Sequence, residues 1–199
     1  ASGSTPERGP YAVNLARCVD YVLKNTQDSG FVHVQGSGSH GPMYGHGFAT
    51  LFLAEVYGMT MRSDVREKLS AAIKLIVGTQ NEEGGWRYHP RRADADLSVT
   101  ICQVMALRAA RNAGLFVPPD TIDRCTRYVK KSQNADGGFM YMLQGGGQSA
   151  FPRSAAGVVA LYSAGIYDGP ELERGVRYLM DHMPAGGVFN RESHYFYGH

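Results

Sequence analysis

Four titratable residues are spaced so that they could meet: His46, Asp96, Arg153 and His199, separated by 50, 57 and 46 residues. They fall in "MYGH", "RRADADLS", "SAFPRS" and "HYFYGH", each at the threshold of an apolar stretch. If those stretches are helices set round a common centre, their starts ring one mouth of a cavity. A histidine there would exchange a proton near neutral pH. An aspartate at a helix start would serve as acid or base. An arginine would hold a carboxylate or phosphate by fixed charge. Asp96, His46 and His199 are thus the candidate catalytic residues, and Arg153, Asp94, Tyr44 and Tyr195 the candidate ligand-binding residues. The competing structural role is capping, for which Asp96 followed by Ser98 is well suited.

Other motifs carry less. Tyr44, Phe48, Tyr57, Tyr141, Phe151, Tyr195 and Phe196 could line an apolar pocket, although most buried aromatics in helical repeats are core. "GSGSHG" has the form GxGxxG, but Pro42 follows and no βαβ unit surrounds it, so it is a connector. HExxH is absent, and Asp96 and Cys102 are six apart. His46, His199 and Asp96 are of ligand type, yet they lie on separate repeats. No metal is assigned, and no cofactor is indicated.

The elements that must position these residues come from a repeat. Gln27, Gln80 and Gln133 stand in "TQDSGF", "TQNEEGGW" and "SQNADGGF" at intervals of 53 residues, and Met183 takes the glutamine's place 50 residues further on. A period of this size marks a repeat architecture. Each unit opens with an amphipathic stretch, such as "REKLSAAIKLIVG", where Leu69, Ala72, Ile73 and Ile76 share one stripe. After the Gln-Gly joint comes a loop, then a more apolar stretch: "GFATLFLAEVYG", "SVTICQVMALRAARNAG" or "RSAAGVVALYSAG". Gly58, Gly114 and Gly165 are expected as left-handed caps. "FVHVQ" and "GFMYMLQ" could make short β excursions.

A helix apolar on all sides must be covered on all sides. The expected fold is therefore all-α: an α/α toroid, or open arc, of helical hairpins with the apolar helices inside. About three and a half repeats are present. Residues 1–10 are expected to form a flexible N-terminus and residues 11–199 the repeat domain, incomplete at its C-terminus. Either further repeats or another copy of the chain would then close the ring. The glutamine's amide should serve a helix end or the start of a neighbouring helix, where backbone groups are free.

"LIVGTQNEEGGW" and "YVKKSQNADGGF" resemble the QW repeat of squalene-hopene and oxidosqualene cyclases. Nearly the whole chain is similar to the prenyltransferase and squalene-oxidase repeat superfamily, notably to bacterial members with segments like "YGHGFAT" and "DADLSVTICQVMALRAARNAG". The resemblance implies an α/α toroid. "DADL" also resembles the DxDD motif of class II terpene cyclases, whose middle aspartate protonates an alkene or epoxide. That likeness implies Asp96 as the acid, with Asp94 before it and Leu97 in place of the last aspartate. The missing carboxylate removes a neighbour that would sharpen the acid.

The chain has 199 residues, 43% of them hydrophobic, so it can bury a core. A net charge of +2 without a basic run gives no nucleic-acid surface. No apolar run is long enough for a transmembrane segment. Cys18, Cys102 and Cys125 form no disulfide pattern and are expected as buried thiols, which weakly favours a reducing, cytoplasmic setting. The leading functional expectation is a terpenoid cyclase or prenyltransferase-like protein that binds or transforms an isoprenoid or other apolar small molecule in a central cavity. Two alternatives stay open: a non-catalytic protein-interaction module and a polysaccharide-lyase-like toroid.

Overall fold

The computed structural model describes residues 3–34, 36 and 40–183. Among the described residues there are seven helices: α1 (Ala12–Lys24), α2 (Pro42–Thr60), α3 (Ser63–Thr79), α4 (Leu97–Asn112), α5 (Pro119–Lys131), α6 (Phe151–Ala164) and α7 (Pro170–Asp181). They form three hairpins, α1/α2, α3/α4 and α5/α6, and α7 begins a fourth unit. None is long and apolar enough to cross a membrane.

The inner layer is made by the apolar helices. α4 packs between α2 and α6 and is backed by α3 and α5. Its flanks and outer side are closed, so it is buried along most of its length. Ser98, Met105 and Arg108 are the residues of its first three turns that keep some exposure. The outer helices bury one stripe only. In α3 that stripe is Val65, Leu69, Ala72, Ile73 and Ile76, as the spacing foretells.

The joints tie one repeat to the next. Gln80 Nε2 donates to the carbonyls of Gly84 and Thr121, both at 2.9 Å. Gln133 Nε2 does the same to Gly137 at 2.9 Å and Glu171 at 2.8 Å. Each glutamine thus secures its own loop and the first turn of the next outer helix. Gly30, Gly84 and Gly137 have φ of +85°, +99° and +89°, and a Cβ on any of them would run into the backbone of Ala71, Arg124 or Arg174. Glycine is required twice over, for the turn and for the close approach. Trp86 is 1% exposed and its Nε1 donates to the Ile76 carbonyl at 2.7 Å, one of the free acceptors in the last turn of α3.

Four local expectations change. α2 runs on through Gly58 and ends at Met61, which adopts φ 55°, whereas Gly114 and Gly165 are left-handed as expected. Among the described residues, those after the joints make single bridges, Thr26 with Val32, Trp86 with Asp96 and Gln133 with Phe139, and no extended strand. Cys18 is exposed, because α1 has only one covered face, while Cys102 and Cys125 are buried. Tyr57 is buried in the main core cluster.

Candidate functional site: a buried carboxylate at the start of the central helix

Backbone hydrogen bonds set the true register of the repeats. The N–H of the residue that closes each joint donates to a side chain of the following inner helix. Val32 donates to His46 Nδ1 at 3.2 Å, Trp86 to Thr100 Oγ1 at 3.0 Å and Phe139 to Ser154 Oγ at 2.9 Å. His46 is therefore in step with Thr100 and Ser154. Asp96 is in step with Pro42 and Ala150, and Arg153 with Gly45 and Val99. The expected alignment of His46 with Asp96 is displaced, since it matched titratable residues rather than hydrogen-bonding positions.

His46 consequently does not reach the rim. It is fully buried, with Phe31 packed beside it at 5.5 Å between ring centroids. Burial drives its pKa down to about 4, partly opposed by the backbone of Ala72. It is a neutral acceptor that holds the first joint. His199 and Tyr195 lie outside the described residues.

Asp96 stands at the rim as the N-cap of α4. Its Oδ1 accepts from the N–H of Val99 at 2.9 Å, and its own N–H donates to the Trp86 carbonyl at 3.0 Å. The side chain is wholly buried, and Oδ2 has no hydrogen-bond partner. The nearest cation is Arg87, whose Nε is 3.9 Å from Oδ2. Burial raises the Asp96 pKa to about 6. The Val99 N–H, the Arg87 charge and the Tyr141 side chain pull against that rise.

The surroundings are supplied by the two loops that follow the joints. The Tyr88 carbonyl accepts from Met43 N at 3.1 Å, and the Tyr141 carbonyl accepts from Leu97 N at 2.9 Å. Each loop is thereby pinned over the start of the preceding inner helix. The two hydroxyls meet at 2.6 Å. Arg87 lies over the Tyr88 ring, 4.9 Å from its centroid, and gives Nη1 to Asp94. Burial works against the Arg87 charge, and Asp94, Tyr141 and Asp96 together hold its pKa up. Tyr44 packs near Tyr88, with centroids 6.1 Å apart. The phenols of Tyr44 and Tyr141 are both pushed well above the ordinary range, first by burial and further by the Asp96 charge.

Arg153 joins this cluster from α6. Its guanidinium is 6.0 Å from the Tyr141 ring centroid, and Nη2 donates to the Gln148 carbonyl at 2.8 Å. Of the residues singled out in the sequence, Asp94, Asp96, Arg153 and Tyr44 are thus drawn round Tyr141 and Tyr88. Arg87 and Tyr88 were not singled out. A signal existed, since Tyr88 and Tyr141 each follow their joint aromatic by two residues. Among the described residues no three His, Cys, Asp or Glu side chains stand together as a metal site requires.

Helical hairpins with buried apolar helices inside, joined at Gln-Gly turns, define the α/α-toroid class. The comparisons agree: the prenyltransferase alpha-alpha toroid domain matches residues 10–70. The squalene-hopene cyclase C-terminal domain matches residues 49–199, well over half of the chain, and the chain belongs to that family. A comparison with curated proteins found no match.

Proposed function

We propose that this chain holds an apolar, isoprenoid-like ligand against the concave side of its inner helices, with Asp96 as the polar group at one end. One observation carries the reading. A fully buried carboxylate oxygen, without a hydrogen bond, sits at the start of the central inner helix among Tyr44, Tyr88 and Tyr141. Tyrosine rings pack on hydrocarbon and favour positive charge over their faces. Phe48 and Val159 leave large apolar side chains exposed on the flanking inner helices. Family membership supports the same ligand class and does not favour the protein-interaction or carbohydrate readings.

Alkene protonation asks for more than this site offers. Asp96 is an acid of pKa near 6 beside a guanidinium, Asp94 is paired with Arg87, and Leu97 fills the place of a further carboxylate. Retention of a ligand is accordingly the function assigned, with Asp96, Asp94, Arg153 and Tyr44 at the binding end. His46, enclosed against the first joint, takes no part.

The test is native mass spectrometry of the chain with C15 and C30 linear isoprenoids. One-to-one complexes are expected, displaced by neither a soluble peptide nor an oligosaccharide. Failure of every isoprenoid to bind would end this reading.

A further inference from the structure

The inner helices have a second end, about 20 Å along α4 from Asp96 at 1.5 Å per residue. There, between the last turns of α4 and α6, lies a cavity of about 250 Å³ lined by Arg108, Arg111, Asn112, Ser163 and Tyr167 among others. No carboxylate lines it. Three other surface cavities carry Asp28 and Glu67, Glu82 and Glu83, or Glu55. The one with Glu55 adjoins this cavity and shares only Asn112 with it.

Arg108 is held in place. Its Nη1 donates to the Tyr162 carbonyl at 2.6 Å, and its guanidinium lies 5.0 Å and 5.8 Å from the ring centroids of Tyr162 and Tyr167. Those two rings meet edge to face at 4.7 Å. Anchored at one nitrogen and stacked on aromatic rings, the guanidinium fork has little freedom left to lose on binding. Arg111 stands one turn further along α4 and is exposed. Among the described residues its side chain has neither a hydrogen bond nor an ion pair, and Arg108 has no carboxylate partner.

Capping does not account for the pair. The carbonyls of Ala109, Ala110 and Arg111 already accept from the N–H groups of Ala113, Leu115 and Gly114. Those of Leu161 and Tyr162 accept from Ile166 and Gly165. Each helix end contributes about half a negative charge at most, so two full arginine charges outweigh both ends and leave a surplus that attracts an anion. A phosphomonoester carries about −1.5 to −2 near neutral pH and matches the pair, whereas a carboxylate would match only one arginine. Asn112 and Ser163 add neutral donors. The cavity is smaller than the roughly 300–1,000 Å³ that drug-sized ligands occupy, so the ligand is small.

We infer that the groove between the C-terminal ends of α4 and α6 binds a phosphate group, as the free ion or as the phosphomonoester of a small molecule, through Arg108 and Arg111. The site is separate from the Asp96 cluster and does not rest on the apolar-ligand reading.

The experiment is isothermal titration calorimetry of the whole chain at pH 7 and constant low ionic strength, where surface charge is least screened. The probes are inorganic phosphate, glycerol 3-phosphate and acetate. Saturable one-to-one binding of phosphate is expected, about tenfold or more tighter than acetate. Arg111→Gln changes an exposed side chain without partners, and it should weaken phosphate binding about tenfold or more. Arg66→Gln removes the same charge from an exposed position on α3 and should change binding less than about twofold. Tighter binding of glycerol 3-phosphate would identify an organic phosphomonoester as the ligand, and tighter binding of inorganic phosphate the free ion. Three results would overturn the inference: no saturable binding of either phosphate, acetate bound as tightly as phosphate, or equal weakening by Arg66→Gln and Arg111→Gln.

Discussion

Val32 and His46 are joined by a hydrogen bond from backbone N–H to imidazole Nδ1, 3.2 Å long, at the position where the next two repeats use the hydroxyls of Thr100 and Ser154. The repeat needs an acceptor there and nothing more. His46→Thr should keep the acceptor type but leave space behind in a fully buried site. A loss of about 1–3 kcal/mol is expected in denaturant unfolding at pH 7. His46→Leu, which removes the acceptor and leaves the Val32 N–H without it, should cost more than His46→Thr. The reverse order would show that the hydrogen bond contributes nothing.

His46 and Asp96 should bend the pH dependence of stability in opposite directions. The folded pKa of His46 is about 4 against an ordinary 6.5, so the unfolded chain binds more protons between those values. Its contribution is therefore lost as pH falls from about 6.5 to 4. The folded pKa of Asp96 is about 6 against an ordinary 3.8, so there the folded chain binds more protons. Its contribution is gained as pH falls through about 6 to 4 and lost as pH rises. Each shift corresponds to roughly 3 kcal/mol, and the two largely cancel. Asp96→Asn should expose the His46 slope, becoming less stable relative to the unaltered chain as the pH drops from 6.5 to 4. His46→Thr should do the opposite. Parallel stability curves for all three proteins would contradict both shifts.

Trp86→Ala should cost about 3–5 kcal/mol, because it empties a fully buried aromatic volume and removes the donor to the Ile76 carbonyl. A thermal melt close to that of the unaltered chain would contradict this.

Gly84→Ala should destabilise by more than the usual helix or loop exchange. The φ of +99° disfavours a side chain, and the new methyl would meet the Arg124 backbone. Gly114→Ala makes the internal control: φ is +85°, but nothing lies within 4 Å of its Cβ position. The expected order is Gly84→Ala well below Gly114→Ala in unfolding midpoint. Equal midpoints would mean that backbone conformation alone, and not the contact between repeats, accounts for the cost.

Gln80→Leu should weaken the seam between the second and third repeats, since Gly84 and Thr121 each lose a donor from Nε2. A loss of about 2 kcal/mol or more is expected in equilibrium unfolding. Gln80→Glu retains the shape but replaces the amide donor with a second oxygen, so it should recover stability only when protonated in acid. Full stability of Gln80→Glu at pH 7 would show that the amide is dispensable.

The helical hairpins, their inner and outer layers and the structural role of the Gln-Gly joints were all legible in the residues alone. Those features follow from local rules: an apolar stripe at helical spacing must be buried, a helix apolar all round must be surrounded, and a glycine pair marks a reversal. A period of 53 residues repeats the same rules along the chain. The site was legible only in part. Asp96 stands out because it is a carboxylate beside an apolar helix, and Arg153 and Tyr44 lie in the cluster round Tyr141 and Tyr88. His46 was misplaced, because types of side chain do not reveal which of them faces a backbone N–H. Register is decided by hydrogen bonds such as that between Trp86 and Thr100, which join residues 14 apart through a loop. The pairing of Tyr88 with Tyr141, 53 residues apart, exists only because successive loops are pinned over successive helix starts. The rise of the Asp96 pKa is likewise a product of tertiary structure. Its cause is burial, and burial belongs to the packed repeats rather than to any one segment.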